Sequence, residues 1–365
     1  MADAQRARAR IAVVGAGSWS SEAHLPTLAA DPDTDLVAVA DLAGDAREYV
    51  EDRYPGARIF ESYEELLSAT EPEGVIVATP HSHHYRPARA ALEAGAHVLV
   101  EKPLVLAPAE GWELQRLARE HGRELIVGYT WHYNRQAMEL RELIHAGRLG
   151  RIELVSCFFA SMVREYYRGD TEAYQPELKL LRAPRSDTYS DPSLSGGGQG
   201  QAQLTHSAAL LFWLTGLQPR RVSAFCRSFA LAVDLVDAAV VDFHSGAVAT
   251  ISSTGDRPSG HQDLLRLEIC GTEGIADFDV MEGRVSLYFS NGRCEELDPL
   301  PLDDRYPYRE PARNLVDVVL DRGINGSDAE VGCLAVEFLD AMYRSSAAGG
   351  SSMELAGAAQ PRVSP

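Results

Sequence analysis

The sequence lacks three features, and each absence excludes a class. It has no Cys-x-x-Cys pair: its five cysteines, Cys157, Cys226, Cys270, Cys294 and Cys333, are scattered and odd in number. Zinc-finger spacing is therefore absent and a disulfide framework fits poorly, which points to reduced thiols in a cytoplasmic protein. It has no long hydrophobic run. The longest, Ala208 to Leu214, is far too short to span a bilayer. The basic start MADAQRARAR leads into an apolar run that breaks at Gly15 and Gly17, as a first strand does and a signal peptide does not. It is also short of basic charge: 34 Lys and Arg against 53 Asp and Glu leave a net charge of −19. That argues against nucleic acid or an anionic membrane surface as a partner. What remains is an ordinary globular composition, 45% hydrophobic and 24% charged, in 365 residues, a length that suits two domains.

The first third alternates strand and helix patterns: RIAVVGAG, HLPTLAAD, DLVAVAD, YEELLSA, GVIVATP, PARAALEAG, HVLVEKP, GWELQRLAREHG and ELIVGY. Continuous apolar strands separated by amphipathic helices imply a parallel sheet covered on both faces, a doubly wound nucleotide-binding domain over residues 1–130. A helix over about 134–146 follows, and the pattern then changes. RIELVSCFFASM, RRVSAFCRSFA, VDAAVVDFHS, GAVATISSTG, LRLEICGTEG, GIADFD and RVSLYFS read as successive strands with short turns. They predict a second α/β domain, residues 131–346, on an open and mainly antiparallel sheet with one face exposed or used for self-association. RNLVDVVLDRG and AVEFLDAMYRSS read as closing helices, and the small, polar tail 347–365 as disordered.

GAGSWS follows the first strand and opens a helix. There Gly15 permits the tight turn, Gly17 lets a pyrophosphate approach the backbone, and Ser18 and Trp19 start the helix beneath it. Ser20 replaces the third glycine of the usual fingerprint. Asp41 ends the second strand about 20 residues on, where a carboxylate accepts the ribose 2′-OH and repels a 2′-phosphate, favouring NAD over NADP. ATPHSHH puts Thr79 and Pro80 at a strand's carboxyl end, and Glu101-Lys102-Pro103 closes the next strand at the same edge. His81 and His83 beside His84 have no adjacent Cys or carboxylate, so no metal is expected.

In order along the chain, GAGSWS, ATPxxxH ending at His84, EKP at 101–103, RLGRIELV, GGG at 196–198, CGTEG and the closing helices resemble the Gfo/Idh/MocA family, the glucose–fructose oxidoreductase and inositol dehydrogenase type. The resemblance implies a nicotinamide cofactor between two domains and a sugar or cyclitol substrate. It implies that Lys102 hydrogen-bonds the reacting hydroxyl and the nicotinamide ribose, with Thr79, Pro80, His84 and Glu101 on the cofactor side. It implies that the histidine of the pattern GGGxxxDxxxH, which falls on His206, is the acid/base. Here Ala202 stands where that pattern has aspartate. Gln203, three residues before His206, would share its helix face and orient the ring, but could not stabilise an imidazolium as a carboxylate would.

Trp131, His132 and Tyr133, after the last strand of the first domain, read as substrate walls or as packing at the domain junction. Residues 163–195 form a long insertion with Arg164, Tyr166, Tyr167, Arg168, Arg182, Arg185 and Tyr189, expected to close over the substrate or to be a solvated loop. The sequence thus predicts an NAD-dependent oxidoreductase acting on a secondary hydroxyl of a sugar, glycoside or cyclitol, a homodimer or homotetramer through the second sheet. Two alternatives stand beside it: a redox-neutral enzyme using retained NAD, and a non-catalytic NAD-binding sensor.

Overall fold

The computed structural model describes residues 8–173, 180–258 and 260–355. The first sheet holds β1 (Ala9–Val14), β2 (Thr34–Ala40), β3 (Arg58–Phe60), β4 (Gly74–Val77), β5 (His97–Val100) and β6 (Leu125–Val127) in the order β3-β2-β1-β4-β5-β6. Every pairing is parallel. Strands such as β4, GVIV, are buried at all positions because helices cover both faces. The order reverses between β1 and β4, so their carboxyl ends flank the crevice where such sheets bind ligands. Gly15 sits there at φ +99°, and a Cβ on it would meet the Ala78 carbonyl oxygen at 2.5 Å. Only glycine fits both the turn and the neighbouring strand.

The second sheet has nine strands: β7 (Ile152–Ala160), β8 (Pro219–Arg227), β9 (Val236–Phe243), β10 (Val248–Thr254), β11 (Leu264–Gly271), β12 (Gly274–Asp279), β13 (Arg284–Phe289), β14 (Cys294–Glu296) and β15 (Met353–Glu354), in the order β14-β13-β12-β11-β7-β10-β9-β8-β15. All pairings are antiparallel except β10 on β7. Its inner face packs on the helices α1 (Arg135–His145), α2 (Thr205–Thr215) and α3 (Ala329–Ala347). The Asn134 side chain caps α1 by accepting from the Ala137 N–H. The helix α2 is apolar all round and buried from Thr205 to Leu214, wedged between the two domains.

Two sequence expectations change. The chain does not stay in the second domain after residue 131. The helix at Glu310–Val319 returns to the first sheet, where Ala312, Leu315 and Val316 pack with Ile11, Val13 and Ile76. The stretch after Ala347, expected to lack structure, is ordered to residue 355: Met353 and Glu354 pair with β8, Leu355 is buried, and Ser345 donates its hydroxyl to the Ser351 carbonyl. A sheet edge and a side-chain hydrogen bond give these small residues partners that composition does not reveal. The rest of the tail, 356–365, lies outside the described residues. Among the described residues no helix is long and apolar enough to cross a membrane.

Candidate active site

The glycine loop and the ends of β2 and β4 form one side of the cleft. A Cβ on Gly17 would meet no atom within 4 Å, so the loop backbone is open to an approaching ligand, and Ser18 and Trp19 begin the helix, whose first N–H groups have no carbonyl a turn before them within the helix. Asp41 accepts the Ala16 N–H at 2.7 Å and the Ala43 N–H at 2.8 Å, and a carboxylate so held keeps further lone pairs for ribose hydroxyls. Thr79 Oγ1 is buried without a hydrogen-bond partner among the described residues. An open glycine backbone at a helix start, a fixed acceptor at the β2 end and an orphaned hydroxyl at the β4 end fit a dinucleotide.

Where the domains meet, Glu101 is buried and accepts the Trp19 indole N–H at 2.9 Å, with His24 Nε2 also at 2.9 Å. Burial alone would raise the Glu101 carboxyl, but the His24 hydrogen bond and the nearby Lys102 charge pull it below its ordinary range. Glu101 in turn opposes the effect of burial, which lowers the Lys102 ammonium. Lys102 Nζ donates to the Ala202 carbonyl at 3.0 Å, reaching the turn that leads into α2 and His206. That turn, Gly200–Leu204, is a π turn, as is Ser20–His24 at the start of the first domain. Such turns carry a surplus residue and recur at functional sites.

His206 is 6% exposed, and its Nδ1 is buried without a hydrogen-bond partner among the described residues. The ring packs edge-on against Trp131 at 5.2 Å and Tyr129 at 6.0 Å. Burial, then Lys102, His132 and His81, hold its pKa well below the ordinary range, and no carboxylate opposes them. Neither residue beneath it is a partner. The Ala202 methyl joins an apolar cluster with Tyr167, Val233 and Leu235, and the Gln203 side chain is half-exposed and makes no hydrogen bond among the described residues.

Other sequence candidates separate. Trp131 stays at the site, between His206 and Tyr306. His132 stacks on Trp213 at 4.7 Å and shares a hydrogen bond with Ser327, and burial pushes its pKa down to about 3. The Tyr133 hydroxyl donates to Asn314 at 2.9 Å on the returning helix. Both pack at the domain junction, the second of the two readings their position allows. His84 is buried with its nitrogens 2.8 Å from the Pro103 oxygen and 2.9 Å from the Thr79 oxygen. It lies between the two loops and ties them together. Arg164 pairs with Asp256. The insertion divides: Tyr189 lies against His81 at 6.0 Å, whereas Leu181 and Arg182 cross to the glycine loop.

Sequence reasoning missed the group that anchors His206's helix. The Asp234 carboxylate accepts the N–H groups of Gly198 and Gly200, both at 2.7 Å, and the Tyr343 hydroxyl at 3.0 Å. A Cβ on Gly198 would lie 1.9 Å from the Asp234 main-chain carbonyl oxygen, and one on Gly197 or Gly200 would strike the Tyr343 hydroxyl. The glycines are present because a main-chain carbonyl and a phenol sit where side chains would be. No motif marks Asp234 in LAVDLVDAAV. Tyr306 and Tyr308, which flank Trp19 at 6.3 and 6.2 Å, were missed as well.

Residues 9–129 match the model of an oxidoreductase family with an NAD-binding Rossmann fold, and residues 137–277 match the GFO/IDH/MocA C-terminal domain. The chain belongs to the Gfo/Idh/MocA oxidoreductase family. Among its relatives is D-glucoside 3-dehydrogenase of Escherichia coli, 22% identical over 93% of this chain and 96% of that protein. Among solved structures, GenD2 from gentamicin A biosynthesis in complex with NAD superposes with TM-score 0.76 at 28% identity, covering 95% of this chain and 96% of that one. An inositol dehydrogenase homolog from Azotobacter vinelandii, complexed with NAD+, gives 0.78 at 20% identity over 95% and 97%. The last shares the fold.

Proposed function

We propose that this Gfo/Idh/MocA protein oxidises, or reversibly reduces, a secondary hydroxyl of a sugar, glycoside or cyclitol using NAD. One observation supports the reading: Lys102 donates to the Ala202 carbonyl in the turn that leads into His206, and the His206 ring packs against Trp131. Bound nicotinamide supplies a hydride acceptor. His206, neutral because it is buried and lies near the Lys102 ammonium, takes the hydroxyl proton as the C–H bond is lost and the C=O bond forms. Lys102 turns its ammonium from the Ala202 carbonyl to the substrate oxygen and stabilises the developing alkoxide. Trp131 and Tyr306 offer flat apolar faces to a sugar ring and keep water out. The names of the relatives, a glucoside dehydrogenase and an inositol dehydrogenase homolog, support that substrate class.

A redox-neutral reaction with retained NAD is the second reading, favoured by the insertion's contacts with the cofactor loop. Purified protein with NAD and a panel of polyols and glycosides, followed by absorbance of the reduced cofactor, tests the first. No reduction with any of them, alongside product formation at constant cofactor oxidation state, would favour the second.

The exposed face of the second sheet carries Leu154, Phe158, Phe225, Val240 and Val248 among small polar residues. We infer that this face pairs with a second copy. Light scattering of the parent and a Phe158→Glu/Val240→Glu variant tests it: the parent should run as a dimer or tetramer and the variant should be smaller.

A further inference from the structure

The insertion of the second domain makes three hydrogen bonds to the cofactor half of the cleft. The Leu181 N–H donates to Glu22 at 3.2 Å. The Arg182 guanidinium donates to the Ala16 carbonyl at 3.1 Å and to Asp45 at 2.5 Å, and lies 5.2 Å from the centre of the Tyr49 ring. Glu22 belongs to the turn after the glycine loop, Ala16 to the loop itself, and Asp45 and Tyr49 to the helix at Gly44–Arg53 that follows β2. Residues 180–182 therefore bridge the β1 loop and the β2 end. That is the span over which a doubly wound fold receives the adenosine diphosphate half of a dinucleotide.

Charge sharpens the point. Glu22, Asp41 and Asp45 surround this span, yet a pyrophosphate must bring negative charge into it. Among the described residues Arg182 is the one cation that hydrogen-bonds to the 15–20 loop. Its other contact, Asp45, is largely exposed, so the guanidinium can give up that partner at small cost. A guanidinium has five N–H donors and forms forked bonds to phosphate oxygens. Its neighbour Ala16 is the residue whose N–H holds Asp41.

We propose that Arg182, reaching across from the second domain, binds the phosphate-bearing adenosine half of the dinucleotide, and that residues 180–182 clasp the cofactor between turnovers. This rests on the dinucleotide reading of the cleft. The insertion, expected to close on the substrate, thus serves both sides: Tyr189 faces His81, while Arg182 faces the cofactor.

The test is binding without turnover. NADH is titrated by its fluorescence and ADP-ribose by calorimetry, for the parent, Arg182→Ala and Arg182→Lys, after melting curves show that all three are folded. Arg182→Ala should weaken both ligands about 10- to 100-fold, the usual size of a charge-assisted hydrogen bond, and Arg182→Lys should recover part of it. Stopped-flow displacement should show NADH leaving Arg182→Ala faster by a similar factor. A parent that binds both ligands while Arg182→Ala binds ADP-ribose equally well overturns the clasp alone. Tighter binding by Arg182→Ala also overturns it and makes residues 180–182 a plug. A parent that binds neither ligand removes the dinucleotide reading and the clasp together.

Discussion

Lys102 and Ala202 meet across the domain boundary through one hydrogen bond, from the Lys102 ammonium to the Ala202 carbonyl at 3.0 Å. The lysine is thereby held against the turn that delivers His206, the other residue proposed for proton chemistry. Lys102→Ala and His206→Ala should each remove most turnover. For His206→Ala the loss expected of a missing acid/base is about 10²–10⁴-fold in rate. NADH titration should show that His206→Ala still binds the cofactor; activity within a few-fold of the parent would remove His206 from the mechanism.

The pH behaviour of His206 follows from its surroundings. Burial and the neighbouring Lys102, His132 and His81 all lower its pKa, so it is neutral at pH 7. The acidic limb of kcat/KM should then lie below the model histidine value of 6.5. An acidic limb above that value would show that another group titrates.

The same shift bears on stability. Unfolded histidines take up protons below about 6.5. In the folded chain burial holds His81, His132 and His206 neutral there, with His132 down to about 3. The unfolded state then binds more protons, and stability present above pH 6.5 is lost as pH falls. Melting curves between pH 7.5 and 5 should show a falling midpoint, and His132→Gln should flatten the slope.

Asp237 lies beside the Asp234 anchor, and both of its carboxylate oxygens are buried with no close hydrogen bond among the described residues. Burial, then Asp234, raises its pKa well above the usual carboxylate range. A raised pKa means stability that is present at low pH and lost as pH climbs above the unfolded value. Asp237→Asn should therefore stabilise the protein at pH 7.5 by about 1–3 kcal/mol, with the gain shrinking toward pH 4. Denaturant unfolding at both pH values measures it.

Asp41, proposed to accept the ribose, also orients the loop, because it holds the Ala16 and Ala43 N–H groups. Asp41→Ala should weaken NAD and narrow or reverse the preference over NADP. Affinities for the two cofactors decide; a parent that favours NADP would displace Asp41 from the ribose.

The first sheet was legible because its strands are continuous apolar runs, and the second because its strands follow one another with short turns. The Gly15, Asp41, Lys102 and His206 positions could be placed because each falls at the end of a strand or the start of a helix. Asp234, Tyr343 and Arg182 were not legible in these roles. Each arrives from a distant segment, and its meaning lies in a contact, not in local spacing. His132 and Tyr133, read either as substrate walls or as junction packing, have rings turned into the domain junction. The turn before α2 is π, which counting α-helical turns back from His206 to Ala202 and Gln203 could not show.

That π turn turns residue count into a structural constant. Upstream, the backbone is moored on the Asp234 carboxylate at Gly198 and Gly200; downstream, α2 is locked in the core from Thr205 onward. Deleting one residue between them would restore an α-helical ladder, but would ask one end to rotate by about 100° against the other. Neither mooring permits it. A substitution at 202 or 203 leaves this phase untouched, so the face presented beneath His206 can be changed wholesale only by insertion or deletion, the kind of step that alters a lineage's chemistry in one jump and not by increments.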